Sequence, residues 1–224
     1  MMSGDQITSR SPVVNSTRLG YIYGMSEETT ITESPPGIRH QIIDAADEHF
    51  ARFGYGKTTM VDLAKAIGFS KAYLYKFFDS KQAIGEAICS RLLLGQLGAI
   101  VVAVDAAKSP HDKLRALFRV TVMQNRDQFF AERQLYEIVS HSRSENWTSS
   151  QRHMAQVQDL LRTILQDGRA SGDFERKTPI DEVVRGIWLA FSPFTDPVLL
   201  QHNLDAIDEG LPALTGMALR SLAP

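Results

Sequence analysis

The stretch from Thr58 to Lys81, TTMVDLAKAIGFSKAYLYKFFDSK, constrains this chain more than any other. It reads as a helix, a tight turn and a second short helix. Ala64 is small, so the second helix can cross close to the first. Gly68 follows Ile67 where the first helix must end, and glycine tolerates the left-handed backbone needed there. Ser70 is placed to cap the next helix, its hydroxyl accepting from a free backbone N–H. Thr59 and Asp62 stand at a spacing close to that of a capping box. Leu63, Ile67, Phe69, Leu74 and Phe77 are spaced to face inward from both helices. Lys71, Tyr73, Tyr75 and Lys76 are left for the outer side.

Charge sharpens the reading. The whole chain carries a formal charge of -2, so it is not a generally basic, nucleic-acid-coating protein. Between Lys65 and Lys81, however, four lysines stand against the single Asp79. A basic patch on a near-neutral body is a footprint rather than a coat. Without the turn, the same charges would describe a solvated helix face. With it, the segment reads as a helix-turn-helix whose second helix faces DNA.

The 224 residues fit one large domain or two modest ones. Cys89 is the only cysteine, which excludes disulfides within the chain and cysteine-rich zinc sites. It lies in an apolar helical run and reads as a buried structural thiol. The N-terminus has no apolar core of a signal peptide. The run from Leu92 to Val104, interrupted by Gln96, is short for a bilayer span. The expected location is the cytoplasm, away from any membrane.

Residues 1–36 are rich in Ser, Thr, Gly and Pro without a sustained period, and read as a disordered tail. Arg10 and Arg18 offer the other reading, an arm in the minor groove. A first helix is predicted over 38–53, with Ile42, Ala46, Phe50 and Phe53 at helical spacing. The next two cover 59–67 and 70–78, and a long fourth runs from Lys81 to about Ala107, its distal half apolar on nearly all sides and expected to be buried. Further helices are predicted over 111–130, 131–143, 146–170, 180–191 and 204–222, with Pro193 and Pro197 as punctuation and Pro212 as a kink or fresh start. Nothing reads as a sheet. The class is all-α: a three-helix head over 37–84 and a helical-bundle body over 85–224.

These residues also carry a resemblance. F-x-x-x-G-Y at Phe50 to Tyr55, T-T-M-V-D-L-A at Thr58 to Ala64, and G-F-S-K-A-Y-L-Y-K-F-F-D-S-K at Gly68 to Lys81 resemble the TetR/AcrR family of bacterial transcriptional regulators. The likeness spans Ile42 to Ile88; the body is similar only in being helical and of suitable length. The resemblance implies a homodimer whose heads place their third helices in the major grooves of a palindromic operator. It implies a body that holds a small-molecule effector and dimerises through its last two helices. Effector binding would then swing the fourth helix and spread the heads.

On the family pattern Lys71, Ala72, Tyr73 and Tyr75 face the DNA, with Ser70 beside them. Ala72 lets the backbone approach base edges or a thymine methyl. Tyr75 and Lys76 suit phosphate contacts, and Thr59 can touch a phosphate as well as cap. Lys81 stands where its ammonium and the first N–H groups of the fourth helix would converge on one phosphate. Phe77 departs from the family's frequent histidine and is expected to pack inside. Met123, Phe129, Tyr136 and Trp147 are candidates for an apolar effector pocket, together with Met154, Trp188 and Phe191. Such stripes are more often plain core, because any amphipathic helix needs one. His141 and His153 lack a second ligand at metal spacing, and read as surface or polar-core residues. No catalytic residue, cofactor or metal is expected. A helical interaction protein, or a dimeric helical enzyme without DNA binding, is the alternative.

Overall fold

The computed structural model describes residues 37–224. The expected tail, with Arg10 and Arg18, lies outside the described residues. Among those described there are helices and no strand.

Helix α1 (Ile38–Phe53) buries Ile42, Ile43, Ala46 and Phe50, and Gly54 ends it at a φ of 83°. Helix α2 (Met60–Ile67) starts with Thr59 and Asp62 in a complete capping box. Gly68 closes it in the left-handed region, φ 76° and ψ 24°, the turn its sequence predicts. The Phe69 N–H then reaches back to the Ala64 carbonyl at 2.8 Å, so the chain reverses tightly.

Helix α3 (Lys71–Leu74) is shorter than the predicted 70–78. Beyond Leu74 the chain closes as turns, with Lys76 N–H on Tyr73 and Phe77 N–H on Leu74. The reason is core packing: Phe78 is buried, while Phe77 is only partly so. Phe77 packs on the core as expected, but the deeper anchor is its neighbour.

Ser80 caps α4 (Lys81–Ala106), accepting from the Ala83 N–H. This helix is long and apolar enough to cross a membrane by length and composition. In the fold it is the central helix, with α5 (Pro110–Ala131) and α7 (Thr148–Ser171) packed along it. Its distal half is not buried all round, as the sequence suggests: Leu94 and Val102 face outward. Helix α6 (Arg133–Ser144) lies between α5 and α7 in the chain. Gly172 ends α7 in the left-handed region, and Phe174 folds back on Gly168 so closely that a Cβ there would meet its ring at 2.1 Å.

Helix α8 (Ile180–Thr195) does not stop at Phe191 but runs through Pro193. Proline there leaves the Leu189 carbonyl without its helical donor. The Ser192 hydroxyl supplies one at 2.8 Å, and Phe194 anchors the last turn against Gly210. Helix α9 (Pro197–Leu200) and a 3-10 turn (Leu204–Ala206) lead into α10 (Ile207–Ser221), which continues through Pro212.

The head is not a separate ball. Its core of Phe50, Leu63, Leu74 and Phe78 continues into Ile88 and Cys89 of α4, Ile138 of α6, and Trp147. The expected division at residues 84 and 85 therefore falls inside α4, within one continuous core.

Candidate DNA interface and ligand cavity

Helix α3 and the turn that follows it present Lys71, Ala72, Tyr75 and Lys76 to solvent. Lys71 Nζ lies 5.8 Å from the Tyr75 ring centroid, and Lys76 Nζ 5.5 Å from that of Tyr73. Tyr73 is half-buried between Phe69 and Phe77, edge-on to both. Its ring supports the turn while one side stays open. Ser70 accepts from the Tyr73 N–H at 3.1 Å, so its hydroxyl is engaged as the cap of α3. The exposed Thr59 hydroxyl donates to Asp62 Oδ2 at 2.7 Å, and this bond holds the Asp62 carboxyl below its usual range. Six of the eight nominated side chains thus share one exposed basic surface around the turn, with Tyr73 half-buried in it.

Lys81 is the eighth, and its geometry differs from the expectation. Its Nζ donates to the Tyr55 carbonyl at 2.9 Å and sits 4.2 Å from the Tyr55 ring centroid. Burial lowers its pKa below the ordinary lysine value. The ammonium is turned inward to the junction of head and body, rather than projecting into solvent beside the free N–H groups of α4.

That junction is dense. Tyr55 packs edge-on against Phe50 and Trp147, and burial, with Glu86 nearby, pushes its pKa up to about 12. Gly85 is required there, because a Cβ would lie 2.9 Å from both Trp147 and Tyr55 ring atoms. The Glu86 carboxylate accepts from the Thr148 and Ser149 N–H groups at 2.9 and 3.0 Å, closing the positive end of α7.

Deeper in the body a cavity of about 240 Å³ opens among α4 to α9. Leu93, Val139, Val157 and Trp188 make its apolar wall. Arg143 and Asp196 face it as an ion pair, Nε to Oδ2 at 2.8 Å, and Asp196 also caps α9. Most polar groups on the wall are satisfied from within. Thr121, Asn125, Ser150 and Thr195 each donate to a backbone carbonyl. His153 Nδ1 is buried without a partner.

The seven effector candidates separate here. Met154 and Trp188 line the cavity. The other five do not. Phe191 stacks on Phe118 in the core, with centroids 3.6 Å apart. Tyr136 is buried and donates its hydroxyl to the Pro197 carbonyl. Trp147 belongs to the junction, Phe129 packs edge-on against Tyr136 under the Arg133 guanidinium, and Met123 is partly buried on α5. Sequence reasoning missed His153 and Arg143 as wall residues. The available signal was periodicity, since His153 falls in the inward row of Val157 and Leu161. Among the described residues no group of three or more His, Cys, Asp or Glu could hold a metal ion.

Comparisons with known proteins agree with this geometry. Residues 42–88 match the family model described as "Bacterial regulatory proteins, tetR family", and residues 110–210 match "Tetracyclin repressor-like, C-terminal domain". The HTH-type transcriptional repressor KstR2 of Mycolicibacterium smegmatis is 27% identical over 165 residues, spanning 68% of this chain and 75% of that repressor. The biofilm operon regulator IcaR of Staphylococcus aureus is 45% identical over 49 residues, but this covers only 22% of the chain and 26% of IcaR. The transcriptional regulator FadR of Bacillus subtilis, solved in complex with stearoyl-CoA, superposes at a TM-score of 0.58 and 18% identity, over 82% of this chain and 97% of FadR. The head with its capped turn, the bundle that encloses a cavity, and both family matches lead to one assignment: the chain belongs to the tetR family of DNA-binding bacterial transcriptional regulators.

Proposed function

We propose that this chain is a ligand-responsive repressor. It binds a palindromic operator as a homodimer and is released by a small apolar or amphipathic effector. The observation that carries the reading is the pairing of an exposed basic, tyrosine-bearing surface at α3 with a cavity behind it, joined by one core. Lys71, Ala72, Tyr73 and Tyr75 face the bases in this reading, with Thr59, Ser70 and Lys76 toward phosphates. Lys81 serves first to tie α4 to Tyr55, and its remaining N–H groups are available to a phosphate.

Repression is favoured by the two relatives described as a repressor and a negative regulator. An effector with a large apolar part is favoured by the cavity wall, and the FadR structure holds a molecule with such a part, stearoyl-CoA. Met154 and Trp188 are its proposed contacts. Dimerisation through α8 and α10 is supported by Leu189 and Met217, which stand 62% and 50% exposed on these helices. A groove of about 250 Å³ runs between the two helices, lined by Val183, Gly186, Ala190 and Met217. A symmetric dimer would bury both. Such a protein works on chromosomal DNA, hence in the cytoplasm.

Effector binding has a short physical path to the head. Val139 and Arg143 on α6 and Ser150 on α7 line the cavity, and the same two helices flank Trp147, which seats Tyr55 and Gly85. Displacing α6 or α7 would therefore tilt α4. A gel-shift titration with the DNA upstream of the protein's own coding region tests the reading. The expected result is one discrete complex that the Lys71→Ala protein forms only at markedly higher concentration. Equal binding by both proteins, or none by either to any DNA, contradicts it.

A further inference from the structure

The cavity wall holds a cation whose hydrogen-bond donors are not all spent. Thr121, Asn125, Ser150 and Thr195 donate to carbonyls, and Gln96 donates to Gln128. His153 Nδ1 has essentially no accessible surface, so it offers the cavity nothing. Arg143 differs. Its Nε donates to Asp196 Oδ2 at 2.8 Å, while among the described residues its two terminal nitrogens have no hydrogen-bond partner. Its side chain keeps 32% of its surface accessible. Asp196 is itself fixed, because its Oδ1 accepts from the Val198 N–H as the cap of α9. The Asp196 carboxylate therefore holds the guanidinium by one edge, between two residues of the wall, and leaves the terminal edge free. That edge is a planar pair of donors, the shape that matches a carboxyl group.

Position along the cavity sets the orientation. Leu93, Val139 and Val157 are buried, whereas Leu189 and Leu199 also line the cavity but are 62% and 42% exposed, so they mark its mouth. Leu199 follows Asp196 by one short turn, which puts the Arg143–Asp196 pair at the mouth end. A polar group held there stays partly hydrated and avoids the cost of full burial, while the inner wall takes apolar surface. We propose that the effector is a largely apolar small molecule bearing one carboxyl-derived group, as the free carboxylate or as a neutral carbonyl. Its oxygen accepts from the terminal nitrogens of Arg143 at the mouth, and its apolar body lies against Leu93, Val139 and Val157.

The inference rests on the cavity being the effector site, and the experiment separates the two. Three probes of similar shape are titrated into the full-length protein: 4-phenylbutanoate, its methyl ester and pentylbenzene. Trp188 on the wall reports binding by fluorescence, and Trp147 is the only other tryptophan. The quantity read is each carbonyl probe's affinity divided by the hydrocarbon's. Arg143→Lys keeps a charge beside Asp196 but loses the planar fork. In that variant the ratio should fall about tenfold, the size of one charge-assisted hydrogen bond, with the hydrocarbon's own affinity unchanged. A fall for the acid alone assigns the carboxylate, and a fall that includes the ester assigns the carbonyl oxygen common to both. Should the lysine protein not fold, Arg143→Met is read on the ester alone, since it leaves Asp196 without its counter-charge. Ratios equal to those of the wild type for both probes overturn the role of Arg143 and leave the cavity as the site. No binding of any probe at millimolar concentration overturns the cavity itself, and the assignment with it.

Discussion

The outer face of α3 and the wall of the cavity handle polar groups in opposite ways. On α3 the lysines and Tyr75 stand in water, with only ring faces beside them, and their charges await a partner. In the cavity the Arg143 and Asp196 charges are paired with each other and the hydroxyls are bonded to backbone carbonyls. The first surface suits a polyanion, whose affinity grows with each neutralised phosphate and weakens with salt. The second suits a molecule that brings little charge and much apolar area. One chain thus presents two recognition chemistries, joined through Tyr55, Gly85 and Trp147.

The largest way to break this picture is to separate the subunits. Met217→Glu places a charge on the exposed row of α10. If α8 and α10 form the dimer, the variant should be monomeric in sedimentation and lose operator affinity by roughly 10²-fold or more, because the second head no longer binds as part of the same particle. Its cavity should still take an apolar alcohol such as 4-phenylbutan-1-ol, used as a probe. A dimeric variant with full DNA affinity would move the interface elsewhere.

Next in size are changes on α3 and the residue that closes it. Lys71→Ala and Tyr75→Ala should each weaken operator binding by about 1–3 kcal/mol without altering helicity or probe binding. Calorimetry with both partners reads both sides at once. A loss of probe affinity in either variant would show that the two surfaces are not independent in the free protein.

These expectations follow from how differently the two regions can be read from sequence. Helix α2 is fixed by short-range chemistry: the Thr59–Asp62 box at one end, Gly68 at the other, and Ser70 three residues before its Tyr73 partner. Local pattern finds such features because the partners are neighbours in the chain. The cavity is assembled from six helices, and periodicity says that Phe191 or Tyr136 faces inward without saying what it meets. Phe191 meets Phe118, and Tyr136 meets the Pro197 carbonyl, so both became core. Pro193 failed as a stop signal because Ser192 and Phe194 repair the helix around it. Lys81 was legible as the first residue of α4, but its inward turn depends on Tyr55, 26 positions earlier.

A smaller effect sharpens the cavity side. The folded chain keeps His153 neutral down to about pH 4, whereas an unfolded histidine takes up its proton near its ordinary value of 6.5. Between those values the unfolded state binds more protons, so stability rises with pH and is lost as pH falls. Arg143 and Asp196 are the charged groups on the same wall, and their pairing opposes neither direction. The wild type should lose at most ~3 kcal/mol from this source between pH 6.5 and 4, while His153→Phe shows a shallower decline in Tm over the same window. Parallel declines would mean that the ring is wetter than the structure has it.

The central claim is that α3 reads DNA sequence, and selection of bound fragments from a random double-stranded pool tests it most directly. The wild type should enrich an inverted repeat whose half-sites lie about one helical turn apart, roughly 34–36 Å, or a multiple of it. The Lys71→Ala, Tyr75→Ala double variant should enrich nothing. An unenriched pool with wild-type protein, or the same repeat recovered with the double variant, would contradict the account.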